Sequence, residues 1–225
     1  MTYSNSMEAY ISARGRATAI TVLMILQLAA LSLSTVMYLV ALGDVSGHGE
    51  IIIAGGSLEI LDGLLYLATL VVFMTWVYRS IANLPALGSM SCRFTPSGAV
   101  WSYFIPFVNA VRGHQVMATI WTESQPPAVN ENGFYMPRKT TIVNLWWAMM
   151  ILLTISSRIT ARMNPIGYDE LRSLLTMNVG ENILYIIAGS LFLFMVRGAQ
   201  SRQDEQWQDL VRRQNVPQPT ADALR

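Results

Sequence analysis

Four long apolar runs, separated by short stretches rich in polar residues, proline and glycine, set the layout of this chain. The first, Ala17 to Leu42, holds 26 residues. As a helix it measures about 39 Å at ~1.5 Å per residue, enough to cross a hydrocarbon core of ~30 Å with some tilt. It follows Arg14 and Arg16 as a signal peptide would. It also outlasts the ~7 to 15 apolar residues of a cleaved signal, so it reads as a retained anchor. Gln27, Ser32, Ser34 and Thr35 are expected to face other helices, because an amide or hydroxyl turned to lipid goes unpaired. Residues 43–56, with Asp44, His48, Glu50 and no Lys or Arg, read as a short outer loop. The second span is predicted over 58–84, with Ser57 as its N-cap, Glu59 at the positive end of the helix dipole and Pro85 as its stop. The third and fourth are predicted over 140–160 and 174–196, the fourth burying Glu181 and giving it need of a partner.

Residues 98–123 do not fit that scheme. Gly98 to Val108 is apolar and aromatic but only 11 residues long, and Pro106 interrupts it. A full crossing would leave Asn109, Arg112, His114 and Gln115 at mid-depth. There a single Arg costs about 2.5 to 3.5 kcal/mol on the insertion scale. Beyond Arg112, Gly113, Val116, Met117, Ile120 and Trp121 recur at one face of a helix. The segment is therefore predicted to be re-entrant or interfacial, backed by protein rather than lipid. The fold class is all-α: four transmembrane helices plus this one broken segment. Residues 1–16 form an N-terminal segment with a short amphipathic turn through Met7, Tyr10 and Ile11, residues 17–199 one membrane domain, and residues 200–225 a C-terminal tail. The proline-rich stretch from Gln125 to Lys139 is an irregular connection within that one domain.

Composition agrees with a bilayer as solvent: 52% of residues are hydrophobic and only 13% charged, against roughly 25% charged in soluble domains. Net charge is +1, which with no basic patch excludes nucleic acid as a partner. With both termini inside, twelve Lys and Arg fall on inner segments and three on outer ones. That bias places both termini in the cytoplasm. The single cysteine, Cys92, rules out an internal disulfide or a CxxC pair.

Two groups of polar residues carry the candidate chemistry. Glu59 and Asp62 lie i, i+3 on the second span and Arg158 and Arg162 lie i, i+4 on the third, all toward the outer leaflet. Together with Glu181 they are expected to meet as a charge cluster, since separated charges at that depth are costly. Arg79, Asn83, Asn109, Arg112 and His114 form a candidate cytoplasmic site for an anionic headgroup or ligand, against a reading in which they snorkel to lipid phosphates and cap turns. His114 lacks a second donor, so no metal or other cofactor is expected, and no phosphate loop, HExxH or nucleophile motif occurs.

The string Trp76, Tyr78, Arg79, Asn83, Leu84, followed by Phe94, Pro96, Trp101, Ile105, Pro106, Asn109 and Trp121 and then Trp146 and Trp147, resembles a bacterial membrane family, domain of unknown function 4328, over about residues 60–195. In this chain Gly113 and His114 stand where that family usually has Pro-Tyr. The resemblance implies a multi-span protein of the bacterial inner membrane and supplies no activity. The chain is accordingly expected to be a non-enzymatic accessory or scaffold subunit, with membrane lipids and other membrane subunits or further copies of itself as partners. The alternative is a small transporter or channel that uses the charge cluster and the re-entrant segment.

Overall fold

The computed structural model describes residues 10–89, 92–125 and 138–215, and among these every regular element is helical. The turn expected through Met7, most of the proline-rich connection and the tail beyond Asn215 lie outside the described residues. Four helices are long and apolar enough to cross a membrane: α1 (Arg14–Ala41), α2 (Gly49–Asn83), α5 (Thr141–Thr160) and α6 (Tyr168–Asn215). Between α2 and α5 lie two short helices, α3 (Pro96–Trp101) and α4 (His114–Glu123), joined through a π-type turn at Asn109–Gly113.

The chain runs up and down. α1 and α2 pack side by side, α1 and α5 both lean on α6, and the ends of α1 and α6 that hold residues 10–14 and 200–207 meet at one end of the bundle. We call that end basal and the opposite one, where α1 turns into α2 and α5 into α6, apical. Close approach depends on small residues: a Cβ added at Gly55 would stand 2.5 Å from the Tyr38 ring, and one at Gly189 would stand 2.8 Å from Met24. The outward faces carry an apolar belt, with Ile60, Leu64, Leu67 and Val71 exposed along α2 and Leu152, Ile155 and Ile159 along α5. Only lipid or another apolar surface can cover such a belt without cost.

Residues 96–123 enter the bundle from the basal end and return to it. Thr95 accepts from the Gly98 amide and Pro96 fills the first turn, which starts α3 beside α2. Tyr103 then reaches the ring of Phe73, ten residues up α2 from Asn83. The chain turns through Phe104 to Val108, with Phe107 at φ 62, and α4 carries it back down. At its foot Glu123 meets Arg138 and Ser89. α4 is 10 residues long, so the turn sits roughly 15 Å above its base at ~1.5 Å per residue. That is half the thickness of a bilayer core. The apolar stripe read from the sequence points inward: Val116, Met117 and Ile120 are fully buried. Gly113 is needed where the hairpin touches α5, since a Cβ there would lie 2.8 Å from Trp147.

Three boundaries differ from the sequence reading. α2 begins at Gly49, so Ser57 is inside a helix, its hydroxyl donating to the Ile53 carbonyl, and caps nothing. The preceding turn is closed instead by Asp44, whose carboxylate accepts from the Ser46 and Gly47 amides and the Ser46 hydroxyl. Those bonds to the charged form, the Ser46 hydroxyl first, hold the Asp44 carboxyl below its ordinary range. Second, α6 starts at Tyr168, where Glu170 accepts from the Ile166 and Gly167 amides. Third, it continues unbroken to Asn215, so residues 200–215 are the last turns of a helix of about 72 Å at ~1.5 Å per residue, not a separate tail. Gly198 does not end it, because Gly is a weak breaker in a helix held by packing.

Candidate functional site

The interior divides into two polar regions with a wall of aromatic rings between them. The wall is made by Phe73, Trp76, Tyr103, Trp146 and Phe192, whose rings stack or meet edge to face with centroids 5.0 to 5.9 Å apart. Trp76 is fully buried, and its indole N–H donates to Gln200 at 3.1 Å.

Below the wall, the basal region ties the N-terminal segment down. The Asp204 carboxylate accepts from Tyr10 and Ser12 hydroxyls at 2.7 Å each and from Arg14 Nε at 3.2 Å. Tyr10 also stacks on Trp207 at 5.0 Å. Burial, and then the hydrogen bond to Asp204, raise the Tyr10 hydroxyl above the usual tyrosine range. Asn83 brackets the backbone of Ile11, accepting from its N–H at 3.2 Å and donating to its C=O at 2.9 Å, while Arg79 Nε donates to the same carbonyl at 3.3 Å. Gln203 donates to Ser80 O and Ser124 Oγ, and the Arg202 guanidinium sits 4.0 Å above the Trp121 ring.

Above the wall, α1, α2, α5 and α6 frame a half-open cavity of about 290 Å³. Glu59, Asp62 and Glu181 all line it, with Asn178, Asn182, Tyr66 and Tyr185. Glu181 accepts from the Ser156 and Thr160 hydroxyls at 2.6 and 2.5 Å. Glu59 accepts from Asn182 at 3.4 Å. Asp62 Oδ1 is cut off from solvent and short of a full hydrogen bond, with the Gln27 amide as the donor beside it.

The structure therefore brings together three of the five residues expected as a charge cluster. The three acids meet; Arg158 and Arg162 stay exposed at the apical end of α5, and among the described residues no arginine forms an ion pair with Glu59, Asp62 or Glu181. The expected pairing fails for a geometric reason. Met150, Leu153, Thr154 and Ser157 line the cavity, but Arg158 stands in the last turn of α5 and Arg162 beyond its end at Thr160, and both are exposed there at the apical surface, where a guanidinium keeps its hydration. The cytoplasmic group also divides. Arg79 and Asn83 grip Ile11, whereas Asn109 and Arg112 are exposed at the hairpin turn and His114 Nε2 pairs with Asn144 at 2.8 Å. Tyr10, read from the sequence only as part of an amphipathic turn, and Ser12 and Asp204, absent from that reading, make the basal centre. Only the polar residue Asp204 beyond an apolar helix end signalled it, and nothing local named its partners.

These features define a multi-span helical membrane protein with a broken basal hairpin and an acid-lined apical cavity. A protein-family model, Domain of unknown function (DUF4328), matches residues 52–201, and the chain belongs to that family. The match takes in all but the first three residues of α2, the hairpin, α5 and all of the cavity's residues except Leu31. No curated protein and no solved structure matches the chain.

Proposed function

We propose that this chain is a non-enzymatic accessory or scaffold subunit of a membrane assembly, with its basal end and both termini in the cytoplasm of a bacterial cell. The observation that carries the reading is the aromatic wall. Phe73, Trp76, Trp146 and Phe192 are all buried and close-packed, so the apical cavity does not communicate with the basal region. Such a bundle offers surfaces rather than a passage. Its candidate surfaces are the apolar belt along α2 and the last turns of α6, which run past the apolar span and expose Glu205, Asp209 and Arg212. The orientation rests on charge: the basal end takes most of the Lys and Arg, as cytoplasmic ends do. The broken hairpin and acid cavity also fit the alternative, a small transporter, because broken segments serve binding sites in that class. That reading requires the ring wall to open.

Native mass spectrometry of the chain extracted in nanodiscs tests the proposal. A complex of fixed stoichiometry, lost in Leu64→Trp or Ile60→Trp without a change in melting temperature, is the expected result. A monomer that alone carries a solute across liposomes, and stops doing so when the wall is enlarged by Phe192→Trp, overturns it.

A further inference from the structure

We propose that the basal seam between α4 and α6, where Arg202 lies on Trp121 beside Gly198, binds the phosphate of an anionic phospholipid, with an acyl chain along Phe194 and Ile187. This stands apart from the accessory reading, since a lipid can fill the seam with or without a partner subunit.

The first ground is an arginine without an anion. The Arg202 guanidinium stands 4.0 Å from the centre of the Trp121 ring. That ring answers the charge in part but offers the N–H groups no lone pair. Nη1 is shielded from solvent and has no acceptor, while part of the side chain stays accessible. Glu205, three residues on, accepts from the Ser201 hydroxyl at 2.7 Å, and among the described residues no carboxylate forms an ion pair with Arg202. Its basal neighbours are better served: Asp204 meets Arg14, Glu123 meets Arg138, and the Ile11 carbonyl accepts from Arg79. A shielded donor left open in this way calls for an acceptor from outside the described chain.

The second ground is depth. Arg202 belongs to the part of α6 beyond its apolar run, yet its side chain folds back one turn. A Cβ added at Gly198 would stand 3.5 Å from Arg202 Nη2 and 3.3 Å from the Trp121 ring. The charge is thereby brought back to the level of Arg197, which is exposed and is the first charged residue after the run from Asn182 to Val196. Guanidinium and indole at the end of an apolar span lie where lipid phosphates lie.

The third ground separates a phospholipid from a free phosphate. Ile183, Ile187 and Phe194 are exposed on one face of α6, and that face runs down to Arg197. Phe194 packs on the far edge of the same platform, its ring 5.9 Å from that of Trp121. Ile187 stands ten residues before Arg197, about 15 Å at ~1.5 Å per residue, which is half of a ~30 Å hydrocarbon core. An apolar stripe one leaflet deep that ends on two guanidinium groups matches the polarity of a phospholipid. Inorganic phosphate could use only the arginines.

The test is native mass spectrometry of the full chain in detergent, titrated with phosphatidylglycerol, phosphatidylcholine and inorganic phosphate. Phosphatidylglycerol is expected to bind as one saturable molecule at least tenfold more tightly than phosphatidylcholine, and inorganic phosphate not to displace it. Arg202→Gln should weaken phosphatidylglycerol by tenfold or more. Arg202→Lys should weaken it several-fold, because an ammonium keeps the charge and loses the planar fork. Arg213→Gln, exposed in the last turn of α6, should change nothing. If Arg202→Gln does not fold, Arg197→Gln at its exposed position provides the readout, with a several-fold loss. Equal affinity for the two lipids, unchanged binding in the arginine variant, an equal loss in Arg213→Gln, or displacement by inorganic phosphate would each overturn the proposal. None of these outcomes bears on whether the chain joins an assembly.

Discussion

Asp204 and Asp62 are two shielded aspartates at opposite ends of one bundle, and the chain treats them differently. Asp204 receives two hydroxyls and an arginine, all from the few residues before α1. Asp62 has no full hydrogen bond for its inner oxygen, and among the described residues no arginine forms an ion pair with it; the donor beside it is the neutral amide of Gln27. A charge answered by its own chain serves as a fastening, here of the N-terminal segment to the base of α6. One met only by a neutral amide fastens nothing. The difference between the two regions is therefore one of role, and amide substitution at the two positions should have opposite effects.

The largest effect belongs to the fastening. Asp204→Asn removes the charge to which Tyr10 and Ser12 donate, and hydrogen bonds to a charged group contribute about 1.5 to 3 kcal/mol. Arg14 adds little, because its side chain is 70% exposed and exposed pairs are worth ~0 to 1 kcal/mol. We expect a loss of about 3 kcal/mol in detergent melts, with protease cleavage near Ile11 that the native chain resists. Cleavage unchanged would mean that Asn83 alone holds the segment, and the contrast with Asp62 would lose its first half.

The hairpin comes next, because it lies between the two regions. Gly113→Ala puts a methyl group 2.8 Å from the Trp147 ring and within 3.4 Å of Tyr103, which belongs to the wall. Overpacking of this kind costs about 1 to 3 kcal/mol. The melting temperature should fall, and Trp fluorescence should become more accessible to a water-soluble quencher. A smaller effect of the other sign is expected apically. Asp62→Asn exchanges a shielded carboxylate, met only by the Gln27 amide, for a neutral amide of the same shape, and should stabilise the chain by about 1 kcal/mol at neutral pH. Destabilisation there would show that the Gln27 amide fastens Asp62 and would close the comparison.

How much of this was legible in the residues follows from range. The spans, the half-segment around Pro106 and the apolar stripe of Val116, Met117 and Ile120 are written in local periodicity; that the stripe faces the bundle and not lipid is not. That Glu59, Asp62 and Glu181 would line one cavity without their arginines was not readable, since the expectation was of acids paired with Arg158 and Arg162. Where Arg158 and Arg162 went was not readable either, because it depends on where α5 ends, and its stop at Thr160 leaves both at the exposed apical edge. Asp204 was harder still: its partners lie 190 to 194 residues away. The unbroken run of α6 through Gly198 depends on Trp121 and Arg202 packing around that glycine, which no local propensity carries.

The smallest effect separates the fastening from mere packing, and it appears at alkaline pH. Tyr10 has a raised pKa because burial and the Asp204 carboxylate both oppose a phenolate. Its neutral form is the one the fold favours. The contribution is thus fully present below the ordinary tyrosine value of 10.0 and falls as the pH rises beyond it, where the unfolded chain ionises first. Because Tyr10 is only half-buried, solvent screening keeps the loss at pH 10.5 below about 1 kcal/mol. Melting temperatures of the native chain and of Tyr10→Phe should then differ by a constant amount from pH 8 to 9.5 and converge above pH 10, since the phenylalanine has no proton to lose. If the gap stayed constant throughout, the ring stacked on Trp207 would be the fastening and the hydroxyl a bystander. If it closed, the charge of Asp204 would be shown to act through that hydroxyl, a function Asp62 has no residue to perform.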